Sequence, residues 1–193
     1  MGNFTNEIEQ ASANQGRIYL NGIVNEDMAV KVSYYVNKII ETNKKYEEAG
    51  LKDKKLKTVT FLINSYGGSV LHGNAIIGNI KRLQQNKIKV VGIVESIAYS
   101  MAFDIIIHCD ERIGYGLSQY LLHQTAFGQG GELREFEREV EFQKKLWEKS
   151  ADYYAKLTKI PRKRIDEIYD RKENYFFDAE TALELGVIDK IIC

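Results

Sequence analysis

The feature that most constrains this chain is an alternation of short apolar strands with amphipathic helices. Residues 58–63 and 88–94 are runs of β-branched and aliphatic side chains, each of the length of a buried strand. Apolar residues recur at helical spacing over residues 70–83, and a second apolar helix is predicted over residues 101–107. This order predicts stacked βαβ units with right-handed crossovers, and therefore an α/β fold with a parallel sheet.

The turns that follow these two strands should lie side by side, because neighbouring parallel strands end at the same edge of a sheet. Gly67 and Gly68 follow the first strand, and Ser100 follows the second. In that position Ser100 can be an N-cap, or its hydroxyl can be a nucleophile at the positive end of the helix dipole. The glycines can serve only to allow positive φ, or a backbone amide there can join that of Met101 in binding a developing oxyanion. The residues alone leave both alternatives open in each case.

Three histidines are candidates for a base that could activate Ser100. His108 lies eight residues further on, and within one helix that separation is about 12 Å, far beyond a hydrogen bond. His72 belongs to the first turn of the preceding helix, where a solvent-facing side chain is expected. His123 follows the apolar strand 119–122, so a strand end can present it to the same edge of the sheet. His123 is therefore the predicted base, although a strand-end histidine bonded only to backbone would have the same sequence signature.

Charge and composition argue against several classes of function. Lys and Arg together number 27, as do Asp and Glu, so no net charge recruits nucleic acid or an anionic membrane. No stretch approaches the roughly 20 apolar residues of a membrane span, and the N-terminus lacks the basic start and apolar core of a signal peptide. Cys109 and Cys193 have no metal-site spacing and suit a reducing compartment. We therefore expect a cytoplasmic protein of one domain that uses no metal or other cofactor.

The N-terminal third of the chain is less regular in its pattern. Residues 1–15 are polar and are predicted to be irregular, and the first strand follows at residues 17–20. A helix is predicted from the cap Asn25 onwards. The charged stretch 43–55 is predicted to be a solvated surface excursion that is partly helical.

A long helix is predicted from Glu132 to about residue 158. Its apolar residues repeat at heptad-like spacing over about 26 residues, or roughly 40 Å. A helix of that length in so short a chain is expected to project from the globule. Its apolar stripe then needs a partner, for which a second subunit is the natural candidate. The stripe consists of Leu133, Phe136, Val140, Trp147, Ala151 and Tyr154.

Four motifs occur in a fixed order along the chain. They are Ile63-Asn64-Ser65-Tyr66-Gly67-Gly68, Ala98-Tyr99-Ser100-Met101, Leu122-His123-Gln124 and Phe176-Phe177-Asp178-Ala179. Together they make the chain, from about Arg17 to Ile192, resemble the proteolytic subunit of the Clp protease. The resemblance implies a polar segment over residues 1–16 and a single peptidase domain over residues 17–193. That domain would be a crotonase-like spiral of βαβ units, with a protruding handle helix over about 132–158.

The resemblance also implies roles for individual residues. By position, Ser100 would be the nucleophile, His123 the general base, and the amides of Gly68 and Met101 the oxyanion hole. The family's activity would be that of a serine endopeptidase, which cleaves unfolded polypeptides delivered by an ATP-dependent AAA+ unfoldase. The handle helix would help two seven-membered rings stack into a tetradecamer. That assembly would be either a homo-oligomer or a mixture of paralogous subunits. Such a partner would cover the apolar stripe.

The chain departs from the family's pattern at several positions. Asn174 occupies the place of the triad aspartate, so it can orient His123 but cannot supply the negative charge that stabilises imidazolium. Tyr66 and Thr125 stand where the family usually has prolines, which should loosen the loops around the substrate strand. The short N-terminal segment and the charged stretch, which resembles an insertion, weigh against docking of the usual ATPase.

A slow or conditionally active Ser-His-Asn site is therefore expected. The alternative is a weakly active or inactive structural or regulatory subunit that assembles with an active paralogue. Crotonase-type acyl-CoA chemistry is a third hypothesis, since paired backbone amides would also stabilise the oxyanion of that reaction. The pairing of Ser100 with His123 favours peptide hydrolysis over that third hypothesis.

Overall fold

The computed structural model describes residues 2–126 and 132–193, with the backbone alone for residues 2–6. The strands are β1 Arg17–Val24, β2 Thr58–Gly68, β3 Lys89–Tyr99, β4 Glu111–Tyr115, β5 Gln119–Leu122, β6 Tyr175–Asp178 and β7 Lys190–Ile192. The helices are α1 Gly2–Asn14, α2 Glu26–Glu48, α3 Val70–Gln85, α4 Met101–Ile107, α5 Leu133–Leu157, α6 Arg162–Asp170 and α7 Ala179–Glu184, and a 3₁₀ turn spans Lys52–Lys54.

The centre of the molecule is a parallel sheet with the strand order β1-β2-β3-β4-β7. β3 is long enough to have two successive partners: residues 91–94 pair with β4, and residues 97–99 pair with β5. β6 then pairs antiparallel with β5. The predicted α/β architecture with a parallel sheet is confirmed. Because β5 pairs with the last residues of β3, the β5–β6 pair lies at the end of β3, where Ser100 follows.

The core lies between this sheet and the helices that pack on it. Alternate residues of β2 are fully buried, as are residues of α3 at helical spacing: Val59, Phe61, Ile63, Ile76, Ile80 and Leu83. The predicted apolar side of α3 is wrong in its first turn. There Val70 is 37% exposed and Leu71 is 79% exposed, because this turn lies at the edge of the sheet, where the chain leaves β2.

The N-terminal residues form a helix instead of the predicted irregular segment. α1 packs against β1, and its residue Ala13 is buried. The Lys31 ammonium lies 2.6 Å from the Glu9 carboxylate and ties α1 to α2. A polar sequence of this kind carries a weak helix signal, because most of the stability of a short helix comes from tertiary packing.

The charged stretch 43–55 lies on the surface as predicted, but its first residue does not. α2 continues to Glu48, and Asn43 is buried on it. The Asn43 amide donates to the Leu56 carbonyl at 2.8 Å, and its carbonyl oxygen accepts from the Leu56 amide at 2.9 Å. A polar side chain can be buried when both of its polar groups are satisfied in this way. Asn43 therefore fixes the return of the chain towards β2.

The long helix α5 has a packed half and an exposed half. Trp147 and Ala151 are buried, and the Trp147 ring stacks on Tyr169 of α6 at 4.8 Å between centroids. Nearer the N-terminus of α5, Leu133 and Phe142 are 72% and 53% exposed. Apolar side chains in the first half of this helix are therefore exposed, and its projection from the globule stays a prediction. Across the described part of the chain, no helix combines the length and the apolarity needed to cross a bilayer.

Candidate active site

Ser100 lies in a tight turn between β3 and α4. Its backbone has φ 53° and ψ −122°, a conformation that is rare for a residue with a side chain. The Ser100 amide donates to the Leu121 carbonyl at 2.9 Å, and the Ser100 carbonyl accepts from the amides of Phe103 at 2.8 Å and Asp104 at 3.2 Å. Ser100 occupies the N-cap position of α4, but within the described residues its side chain makes no capping hydrogen bond, so its hydroxyl does not cap the helix. The turn resembles the strained strand-to-helix turns that expose a nucleophile in α/β-hydrolases.

His123 directly follows β5, and the pairing of β5 with β3 brings it to Ser100. Tyr99 pairs with Leu121 in parallel register, so the residues that follow in each strand meet at the same end. The His123 Nε2 lies 2.7 Å from the Ser100 Oγ. With the ring neutral and its proton on Nδ1, the hydroxyl donates to Nε2, which is the arrangement that removal of the hydroxyl proton needs.

The electrostatic environment favours the neutral ring of His123. Burial lowers the pKa of His123, and the side chain of Asn174 acts in the opposite direction. A base must be unprotonated to accept a proton, so the lowered pKa keeps His123 competent at neutral pH.

Asn174 reaches the same place through the antiparallel pair of β5 and β6. Leu122 pairs with Tyr175, so the next residues outward, His123 and Asn174, lie opposite each other. The Asn174 side chain is close enough to favour the protonated imidazole. Among the described residues, however, no hydrogen bond of acceptable geometry joins it to the ring, and Asn174 is exposed to solvent. Its hold on His123 is therefore looser than that of a buried, directly bonded group.

Glu173, the neighbour of Asn174, is committed to another interaction. Both of its carboxylate oxygens accept from the Arg164 guanidinium, at 2.8 and 2.6 Å, and this pairing lowers the pKa of Glu173. The Arg164 guanidinium also lies 4.6 Å from the ring centroid of Tyr175. These contacts anchor the start of β6, so Glu173 does not serve as a substitute acid for His123.

Gly67 and Gly68 take positive φ values of 83° and 148°, so both need the conformational freedom of glycine. Gly67 also lies against the Ser100 turn, since a Cβ there would be 2.8 Å from the Ser100 Cβ and 2.9 Å from the Met101 nitrogen. Met101 begins α4, and its amide is one of the first four that lack an intrahelical acceptor. Gly68 and Met101 both line the cavity beside Ser100.

That cavity has a volume of about 230 Å³, and of the three histidines, all within the described residues, His123 alone lines it. His108 ends α4, where its Nδ1 lies 2.7 Å from the Asp104 carbonyl oxygen and burial lowers its pKa. His72 is half-buried, so its predicted solvent-facing position is wrong. Its Nδ1 is a buried nitrogen without a hydrogen-bond partner among the described residues.

Asp104 also lines the cavity, and sequence reasoning missed it. It lies one helical turn after Ser100, and Tyr154 of α5 lines the cavity with it. Burial raises the pKa of Asp104 to about 7, while Tyr154 acts in the opposite direction. The available signal was a lone carboxylate within the apolar run 101–107.

Comparison with known proteins gives a consistent family. The model of the Clp protease family matches residues 5–193. The chain is 29% identical over 136 residues to the ATP-dependent Clp protease proteolytic subunit of Deinococcus radiodurans, over 69% of this chain and 64% of that protein. It is 33% identical over 138 residues to the subunit of the same name from Chlorokybus atmophyticus, over 70% of this chain and 59% of that protein.

A more distant relative has the same kind of name. The ATP-dependent Clp protease proteolytic subunit 3 of Rhodococcus jostii is 25% identical over 140 residues, which cover 70% of this chain and 66% of that protein. The matched region thus spans less than two thirds of the length of the first two relatives. Because the family match extends over nearly all of the sequence, the chain belongs to the Clp protease family.

Proposed function

We propose that this chain is a serine endopeptidase subunit that cleaves unfolded polypeptides. The observation that carries the proposal is the 2.7 Å contact between the His123 Nε2 and the Ser100 Oγ, made at a strained strand-to-helix turn. Membership of the Clp protease family supports a peptidase rather than acyl-CoA chemistry. Ser100 is the nucleophile, His123 is the general base, and the amides of Gly68 and Met101 bind the oxyanion.

In the acylation step, the Ser100 oxygen attacks the peptide carbonyl carbon while Nε2 of His123 takes the hydroxyl proton. The carbonyl oxygen becomes an oxyanion, which the two amides stabilise. As the tetrahedral intermediate collapses, the C–N bond breaks and His123 gives the same proton to the leaving amine. Water then repeats the sequence on the acyl-enzyme, with His123 again acting as base and then as acid, and Ser100 is released.

Asn174 makes this site slow. It favours the orientation of His123 in which Nε2 faces Ser100, but it adds no negative charge to stabilise imidazolium. In Ser-His-Asp proteases the corresponding change of aspartate to asparagine costs about 10⁴ in kcat, or about 5 kcal/mol of transition-state stabilisation. The exposure of Asn174 leaves water to provide part of the solvation of the imidazolium.

The test of catalysis is active-site labelling of the purified protein. A fluorophosphonate should label Ser100, peptide esters should be hydrolysed, and Ser100→Ala should lose both activities. Asn174→Asp should raise the hydrolysis rate. Absence of labelling and hydrolysis in the wild type would reject an active peptidase, and an unchanged rate in Asn174→Asp would reject the role given to that residue.

The second candidate function is a weakly active or inactive structural or regulatory subunit that assembles with an active paralogue. The uncharged, exposed residue at position 174 is the observation that favours it. In that case Ser100→Ala should leave the peptidase activity of a mixed assembly unchanged. A measurable loss of activity in the mixed assembly would favour the first candidate.

We also propose the assembly and setting that go with a peptidase of this family. The exposed apolar residues in the first half of α5 suit stacking of two seven-membered rings, and native mass measurement tests for fourteen subunits. An AAA+ unfoldase is the proposed source of substrate, and the relatives are named as subunits of an ATP-dependent protease. Both cysteines are free, which suits a reducing compartment such as the cytoplasm.

A further inference from the structure

A recess continues from the Ser100 cavity into the space between α3, α4 and α5. A second cavity of about 500 Å³ lies there. The residues that line both cavities are Val70, Met101, Asp104, Thr125 and Tyr154. With so much shared wall, the two cavities form one recess that begins at the Ser100 hydroxyl. A side chain next to the carbonyl that Ser100 attacks would enter this recess.

Asp104 stands at the junction of the two cavities. It lies four positions after Ser100, so its Cα lies about 6 Å further along the axis of α4. A hydrogen bond of 3.2 Å from the Asp104 backbone amide to the Ser100 carbonyl fixes this spacing. Side chains on a helix lean back towards the preceding turn, and Asp104 lines both cavities, so its side chain belongs to the wall of the recess that starts at Ser100.

The Asp104 carboxylate has no cation of its own. Within residues 2–126 and 132–193, no lysine, arginine or histidine nitrogen lies within 4.0 Å of it. The groups that set its pKa are its buried surroundings, which raise it, and Tyr154, which lowers it. A carboxylate that is largely shielded from water and has no counter-charge is unfavourable, and Asp104 is only partly exposed. A cationic group that enters the recess removes that penalty.

Asp104 does not replace the missing triad carboxylate. A carboxylate bonded to His123 would raise the pKa of the ring and lower its own. Instead, burial lowers the pKa of His123 with Asn174 as the opposing influence, and the pKa of Asp104 is raised to about 7. The two groups therefore act separately, and Asp104 belongs to the recess.

We propose that Asp104 selects lysine or arginine as the residue whose carbonyl Ser100 attacks. This inference rests on the proposed peptidase function. The methylene stem of such a residue packs against Val70 and Met101, and its charged end meets the carboxylate, in the way that long cationic side chains divide between apolar and polar surroundings. Tyr154 lies beside the carboxylate and adds a hydroxyl to this end of the recess.

Other titratable groups also face the recess, from every element packed around it. They are Lys81 on α3, His108 on α4, His123 after β5, Lys144, Lys149, Tyr153 and Tyr154 on α5, and Tyr169 on α6. The three lysines line only the larger cavity, away from the hydroxyl. Burial lowers the pKa of His108 and raises that of Tyr154, so both are neutral at pH 7. The charge of Asp104 is the one that should control selectivity as the pH passes 7.

The experiment compares peptides that differ only at the residue before the cleaved bond, which is lysine, arginine, leucine or glutamine. The wild type should show the highest kcat/KM for lysine and arginine. In Asp104→Asn the ratio of lysine to leucine should fall about 30-fold or more, as expected when one partner of a buried charge pair is removed. Asp53→Asn removes an exposed carboxylate that lines neither cavity and should keep the wild-type ratio.

The pH dependence of that ratio isolates Asp104 from His123, because the base acts equally on every peptide. The ratio of lysine to leucine should rise in the wild type as the pH passes 7, and it should be flat in Asp104→Asn. A wild-type preference for leucine or glutamine, or the same ratio in Asp104→Asn, would overturn the proposal.

A binding measurement separates this inference from the peptidase function. Peptides that end in a C-terminal lysine or leucine can be titrated against Ser100→Ala by calorimetry, whether or not the wild type is active. The lysine peptide should bind more tightly, and the additional change Asp104→Asn should remove the difference. Equal affinities for the two peptides would refute the role of Asp104, whereas absent labelling of Ser100 would refute the peptidase function alone.

Discussion

The partly buried charge of Asp104 can be tested through the stability of the fold. Asp104→Asn keeps the shape of the side chain and removes its titration. Burial raises the pKa of Asp104 from its ordinary 3.8 to about 7, so the folded chain binds this proton more tightly than the unfolded chain does. Below about pH 4 the carboxyl is protonated in both states and does not destabilise the wild type. The free energy of unfolding then falls as the pH rises towards 7, and it is constant at higher pH.

The size of the penalty follows from the two pKa values. A rise from 3.8 to about 7 corresponds, at 1.36 kcal/mol per pH unit, to at most about 4 kcal/mol at pH 8, since Asp104 is partly exposed to solvent. At pH 5 only about 1.5 kcal/mol of it remains. Asparagine has no such penalty. Asp104→Asn should therefore be more stable than the wild type by up to about 4 kcal/mol at pH 8, with an advantage that shrinks by about 3 kcal/mol at pH 5.

Urea unfolding between pH 5 and pH 8, followed by tryptophan fluorescence, measures this difference. Trp147 is the only tryptophan, and it is buried against Tyr169. Protein concentration must be fixed, because subunit assembly shifts apparent stability. The control Asp53→Asn should follow the wild type at every pH. If wild type and Asp104→Asn lose stability in parallel over this range, the carboxylate is not buried without a counter-charge.

Three other substitutions test separate parts of the site and the fold. Asn174→Asp should raise the pKa of His123 and move the acidic limb of kcat/KM to higher pH, and an unmoved limb would show that position 174 does not act on the ring. Gly67→Ala places a Cβ 2.5 Å from a carbonyl oxygen of the Ser100 turn at a φ of 83°. It should lower the free energy of unfolding by about 2 kcal/mol or more and abolish fluorophosphonate labelling, whereas labelling at the wild-type rate would contradict the close approach. Asn43→Ala leaves both polar groups of the Leu56 backbone without their partner and should cost about 2 kcal/mol in urea unfolding, while a loss below about 0.5 kcal/mol would mean that water replaces the side chain.

The meeting of Ser100 and His123 could be predicted because it depends on one general rule. Both residues follow apolar strands, and parallel strands end at a common edge. The division of β3 between two partners, β4 and then β5, could not be predicted. No local pattern specifies which strands pair, since pairing depends on packing across the whole sheet.

The features missed at the N-terminus have the same physical origin. α1 is polar, and its contact with β1 supplies the stability that its composition lacks. Asn43 resembles the exposed charged residues around it, and only its two bonds to Leu56 make its burial favourable. In both cases the partner lies in a segment that the local sequence does not identify.

Asp104 could be predicted only in part. The sequence predicts the face of α4 on which it lies, but it does not predict the residues that surround it. At 3.6 residues per turn, a residue four positions after Ser100 lies roughly 40° from it around α4, so the spacing alone predicts that Asp104 lies on the side of α4 that carries Ser100. Counting carboxylates near the nucleophile would then assign Asp104 to the triad, in place of the charge that Asn174 lacks. The fold rejects that assignment, because among the described residues His123 bonds to Ser100 and not to Asp104, while burial and Asn174 alone set the pKa of His123. The missing negative charge beside His123 and the carboxylate of Asp104 in the recess are thus separate features. They predict separate effects. We expect Asn174 to limit the rate of cleavage, and Asp104 to determine which side chain is accepted.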